Sequence, residues 1–153
     1  MDDARIPTPC VGMCSTTYGD MVCRGCRRFS HEIVDWNAYG ATEKRAVWAR
    51  LDALKEQVVL GRLDIVDPLL LEEKLDEHRI PWRAEQPDAV RAYELLRRGA
   101  RFMRRYGVYG LRPLPRWHDL TPSELLDVID RDLLALAHAH YERYVVPTLE
   151  RIG

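Results

Sequence analysis

Past residue 26 the chain has no cysteine. It has no apolar run approaching the roughly 18 residues of a membrane span, so a segment crossing a bilayer is not expected. The first residues, Met1-Asp2-Asp3-Ala4-Arg5, are acidic and lack an apolar stretch, so they do not read as a secretory signal and a cytoplasmic location is expected. Charge of one sign is also missing. The net value of −1 gives no global pull toward nucleic acid or membrane, and an electrostatic partner has to be recognised by a local patch. Strand-like alternation, internal repeats and low-complexity tracts are absent. So are a Gly-rich phosphate loop, a His-Glu-x-x-His motif and a Ser or Cys nucleophile signature. Nothing of that kind points to an enzyme. What remains is a chain of 153 residues, 46% hydrophobic and 31% charged, as in an ordinary globular protein.

The cysteines that are present stand close together. Cys10, Cys14, Cys23 and Cys26 form a Cys-x3-Cys pair and a Cys-x2-Cys pair. In a reducing compartment, closely paired cysteines hold metal or do redox chemistry more often than they form disulfides. Four thiolates in two short pairs make a complete tetrahedral set for Zn²⁺, or four anchors for an iron–sulfur cluster. Gly25 lets the Cys23–Cys26 turn bend and brings its N–H groups toward sulfur. Arg24, Arg27 and Arg28 flank the thiolates, offset the −2 of a four-thiolate zinc site and favour the ionised thiols. The spacing matches neither common ferredoxin pattern, which favours zinc, with an iron–sulfur cluster as the alternative. A thioredoxin-like dithiol at Cys23-Arg24-Gly25-Cys26 lacks its βαβ setting.

The remaining pattern is helical. Ser15 to Val22, around Gly19-Asp20, reads as a short hairpin or loop that folds the second pair onto the first. Ser30 reads as an N-cap, with Phe29 and Val34 as a hydrophobic staple. A second helix from Thr42 buries Val47, Leu51, Leu54 and Val58 and stops before Gly61. Asp67-Pro68 starts a helix with Leu69, Leu70, Leu71 and Leu75. A helix from Asp88 to Tyr106 carries Ala89, Tyr93, Leu96, Ala100 and Met103 on one face. Thr121-Pro122-Ser123-Glu124 is a capping box for a last helix that buries Leu126, Ile129, Leu133 and Leu136 and is ended or kinked by Pro147. The fold class expected is mainly α: a four-cysteine loop with two helices in residues 1–60, then an extension of about three helices in residues 61–153.

Pro9-Cys10-Val11-Gly12-Met13-Cys14, Cys23-Arg24-Gly25-Cys26-Arg27-Arg28, Glu32-Ile33, Trp36 and Glu43-Lys44-Arg45 together resemble a small bacterial family of domains of unknown function. Its members carry four N-terminal cysteines and are commonly labelled iron–sulfur proteins. The resemblance covers about residues 8–55. It implies a ligand role for each of the four cysteines, and an iron–sulfur cluster as the metal group. It implies no reaction and no substrate.

A second feature is basic. Residues 88–116 hold eight Arg against Asp88 and Glu94, a local charge of +6, with Phe102, Tyr106, Tyr109 and Trp117 interleaved. Arginine with aromatics clamps phosphates and stacks on bases. The plainer alternative is pairing with the eight acidic side chains of residues 64–88. His138 and His140 point to different faces of a helix and do not chelate one ion together. The four tryptophans read as core or interface anchors. The function expected is that of a non-enzymatic metal-binding interaction or regulatory module. Arg97, Arg98, Arg101, Arg104 and Arg105 are its candidate contacts, and a protein is the favoured partner. The alternatives are an iron–sulfur redox, electron-transfer or sensor protein, and a nucleic-acid-binding module that uses the arginine-rich helix.

Overall fold

A computed structural model describes residues 6–12 and 14–152. The acidic N-terminal residues and Met13 of the cysteine motif lie outside the described residues, as does Gly153. The chain is mainly helical, with 63% helix and 6% strand. It divides into two compact units: Met1–Leu54 with Leu133–Gly153, and Lys55–Asp132. Residues 133–153 thus belong with the N-terminal part of the chain.

In the first unit a 3-10 turn, Ser15–Tyr18, ends at Gly19, whose φ of 99° is left-handed. Of the hairpin or loop expected over residues 15–22, the loop is what forms. The antiparallel pairing lies later: Val22 bridges to Phe29, and the second cysteine pair forms the turn between them. α1 (Ser30–Val34) follows at once. Phe29, not Ser30, is its N-cap, and the Glu32 carboxylate accepts the Phe29 N–H at 2.7 Å. The staple does not form, because Val34 is exposed. The Phe29 ring instead lies under the Arg50 guanidinium, 4.1 Å away. Arg50 also donates through both terminal nitrogens to Glu32, at 2.5 and 2.7 Å.

α2 (Ala41–Leu60) begins one residue before the expected start. The Glu43 carboxylate accepts the Gly40 N–H there. Val47, Leu51, Leu54 and Val58 are all buried, as their spacing requires. Ile6, Trp36, Val47 and Leu51 form one apolar cluster of the first unit. The C-terminal helix is kinked rather than ended. The α-helix gives way to a π-helical turn over Tyr141–Val145, and α6 (Val146–Ile152) resumes with Pro147 in its first turn. Proline has no N–H and crowds the carbonyl four residues back, so the local turn widens.

In the second unit two strands escaped the periodicity because each has only three residues. β1 (Leu63–Ile65) pairs antiparallel with β2 (Leu111–Pro113), Asp64 opposite Arg112. α3 (Pro68–Glu77) is capped by the Asp67 side chain, which accepts the Leu70 N–H. Leu71 and Leu75 are buried and Leu69 is exposed. α4 (Asp88–Gly99) is shorter than expected. Its stripe of Ala89, Tyr93 and Leu96 is buried, as are Ala100 and Met103 beyond its end. The helix stops because the chain folds back at Gly99. A Cβ there would lie 2.6 Å from the tip of the Phe102 ring. α5 (Pro122–His140) opens with the expected capping box: Glu124 accepts the Thr121 N–H, and the Thr121 hydroxyl accepts the Glu124 N–H. Its buried stripe is Leu125, Ile129, Leu133 and Ala137. Leu126 and Leu136, assigned to the core from spacing, are only half-buried.

Candidate functional site

The Cys23–Arg28 turn is built by its backbone. Cys23 N–H donates to Arg28 O and Arg27 N–H to Cys23 O, each at 2.9 Å, and Ser30 N–H to Met21 O at 2.8 Å. Arg27 takes the left-handed φ of 65° that closes the turn. Cys23 and Cys26 are both buried. Burial pushes the Cys23 thiol up, but the N–H groups of Cys26, Ser15 and Gly25, with the Cys26 side chain, outweigh it and leave the pKa lowered. For Cys26, burial wins over the hydrogen bond and charge of Arg28, and its pKa is raised. Arg28 Nε donates to Cys26 Sγ at 3.3 Å, and the same guanidinium lies 5.2 Å from the centre of the Trp36 ring.

The flanking residues divide by role. Gly25 supplies an N–H toward Cys23 and a carbonyl that accepts Arg27 Nη1 at 2.7 Å. Arg27 and Arg28 are buried. Arg24 faces outward, paired with Asp20 at 3.3 Å, while its N–H donates to the Ser15 hydroxyl.

The first pair is placed differently. Cys14 Sγ lies 3.1 Å from the Thr16 hydroxyl. The side chains of Thr16 and Thr17 hold the Cys14 pKa below its ordinary value, against smaller opposing effects of burial and of Cys23. The charge of Cys23 thus acts to raise the pKa of both Cys14 and Cys26. Cys10 is exposed, and its sulfur accepts the Gly12 N–H at 3.4 Å. Among the described residues no group of three or more His, Cys, Asp or Glu side chains is close enough to hold a metal ion. The donor chemistry fits a thiophilic metal: four free thiols, with N–H groups and a guanidinium aimed at the sulfurs of the second pair.

The arginines split into two groups. Some pair within α4, Arg97 and Arg98 with Glu94 at 2.8 and 3.6 Å and Arg91 with Asp88; others pair with distant acids, Arg91 with Glu72 and Arg112 with Asp64. The acidic stretch of residues 64–88 thus takes up Arg91 and Arg112. Arg101, Arg104 and Arg105 are exposed, have no carboxylate partner among the described residues, and stand on the chain that follows α4 rather than on the helix. The contribution of Arg79 was missed in the sequence. It joins Arg97, Arg98 and Arg101 around a cleft of about 630 Å³. Only the turn between α3 and α4 brings it there, so no local pattern could have marked it. The part played by Glu32 and Arg50 was also missed, since eighteen positions separate them.

Residues 8–55 match a family model described as "Protein of unknown function (DUF1289)". The matched segment holds all four cysteines together with Glu32, Trp36 and Arg50. Neither the curated proteins nor the solved structures gave a match to this chain. No helix among the described residues is long and apolar enough to cross a membrane.

Proposed function

We propose that this chain is a metal-binding interaction module rather than a catalyst. Cys10, Cys14, Cys23 and Cys26 together take one zinc ion that staples the N-terminal segment. The observation that carries this is the Cys23–Arg28 turn, with backbone N–H groups aimed at one sulfur and a buried guanidinium at the next. Thiolates on a metal keep excess negative charge, and donors held around them stabilise that charge. The Gly25 N–H and the Arg28 guanidinium belong to this surround, and Arg24 and Arg27 beside them add positive charge that offsets the thiolates. Zinc supplies a closed tetrahedral anchor without redox chemistry. Among the described residues no three of the four thiols are close enough to share an ion, so metal binding is coupled to bringing the two pairs together. Free thiols in such a set suit a reducing cytoplasm. The surface of Arg97, Arg98, Arg101, Arg104 and Arg105 serves recognition, with an acidic protein as the partner.

The test is a visible absorption spectrum of protein purified without oxygen, with zinc, iron and sulfide assayed on the same sample. A colourless protein with about one zinc per chain is the expected result. Iron with matching sulfide and visible absorption would move the same cysteines to an iron–sulfur redox or sensor role.

A further inference from the structure

The cleft beside the arginine surface has the chemistry of a ligand site. It lies within the second unit, has a volume of about 630 Å³, and is lined by Arg79, Arg97, Arg98 and Arg101 with His78 and Phe102. Asp127 is the acid on its wall, and Glu94 pairs with Arg97 and Arg98 from outside it. Four guanidinium groups against these two carboxylates leave the cleft positive. Arg79 and Arg101 are exposed and have no carboxylate partner among the described residues, so their donors are available to a ligand. Guanidinium groups bind phosphate oxygens through paired N–H donors. The wall also carries an aromatic pair. The His78 and Phe102 rings are stacked with centroids 4.4 Å apart, and Phe102 is 43% exposed. Ser123, from the first turn of α5, adds a hydroxyl.

We infer that this cleft binds a nucleotide unit, with Arg79 and Arg101 on its phosphate and the Phe102–His78 stack under its base. The volume is that of a small-ligand pocket, and aromatic stacking accepts any base. Arg104 and Arg105 do not line the cleft and contribute only to the surrounding potential. This inference rests on the reading of the arginine surface as a recognition face. It is independent of the metal at the cysteines.

The test is calorimetric titration of the full chain with ADP, inorganic pyrophosphate, a short single-stranded oligothymidylate and an acidic peptide. The variants are Arg101→Glu, Arg79→Asn, Phe102→Leu and Arg116→Glu, each checked for an unchanged circular-dichroism melt. Asparagine suits position 79 because it tolerates the left-handed φ of 57° found there. Arg116 is exposed, belongs to the same unit and does not line the cleft. ADP and pyrophosphate are expected to bind. Arg101→Glu and Arg79→Asn should each weaken both by about ten-fold, and Arg116→Glu should leave both within about two-fold. Phe102→Leu should weaken ADP and spare pyrophosphate. Tighter binding of the oligonucleotide than of ADP would place the nucleotide unit in a strand, and weaker binding would make it free; either supports the cleft. Equal loss from Arg116→Glu and Arg101→Glu would overturn it, since general charge then suffices. Binding of the acidic peptide alone would overturn this inference and leave the recognition surface standing, whereas no binding of any probe would remove both.

Discussion

Glu32 is buried at the end of the cysteine turn, with the Phe29 N–H and both terminal nitrogens of Arg50 on its carboxylate. Removing it leaves a donor and a half-buried guanidinium without their acceptor. Glu32→Ala is expected to cost about 2 kcal/mol in urea unfolding, in line with hydrogen bonds to charged groups, and to loosen the chain leading from Cys26 into α1. Tyr106 shows the same logic with a proton. Its hydroxyl donates to Leu120 O at 2.7 Å, and burial, aided by the negative charge of Glu124, pushes its pKa up to about 12. The folded state favours the neutral phenol. The stabilisation is therefore complete below pH 10, where an unfolded tyrosine titrates, and is lost as pH rises toward about 12. Ultraviolet titration at high pH should show a tyrosine that ionises near pH 12, and Tyr106→Phe should remove that step.

Elements in this protein start where short-range chemistry tells them to. The capping box at Thr121 was legible as four consecutive residues, and it forms as read. Thr121→Ala should cost about 1 kcal/mol, the usual value of a helix N-cap, measured as a lowered chemical-denaturation midpoint. The Asp67 cap of α3 is likewise local. The end of α4 is close in sequence too, but the apolar spacing hides it. That spacing continues through Ala100 and Met103, yet the helix halts at Gly99, where the Phe102 ring occupies the space of a side chain. Gly110 is a second such place. Its φ is 75°, its carbonyl accepts the N–H groups of Val66 and Asp67, and a Cβ would come within 2.4 Å of Asp67 O. Gly110→Ala is expected to destabilise by about 2 kcal/mol, from backbone strain of the left-handed conformation and from this clash. A thermal melt of the variant would read the loss.

At the scale of the whole molecule, the two compact units together with the proposed zinc predict an uneven response to metal removal. The cysteines all lie in the unit of Met1–Leu54 and Leu133–Gly153. Treating the reduced protein with a strong chelator should raise amide hydrogen exchange across residues 6–54 and change it little across residues 55–132, as mass spectrometry would detect. Uniform change in both units would mean that the metal supports more than its own surroundings. The arginine surface belongs wholly to the other unit, so its ligand binding should survive the chelator.

By itself the sequence determined the helical class, the two caps at Asp67 and Thr121, the buried face of α2 and the concentration of thiols in one segment. All of these depend on residues within a turn or two of each other, where periodicity and hydrogen-bonding chemistry act directly. Tertiary structure alone decided that Arg50 reaches Glu32, that three-residue strands pair across 48 positions, and that Arg79 meets Arg101 around one cleft. It also decided that residues 133–153 join the N-terminal unit. These choices depend on which distant apolar and charged groups are buried together, and side chains far apart in the chain carry no local signature of that.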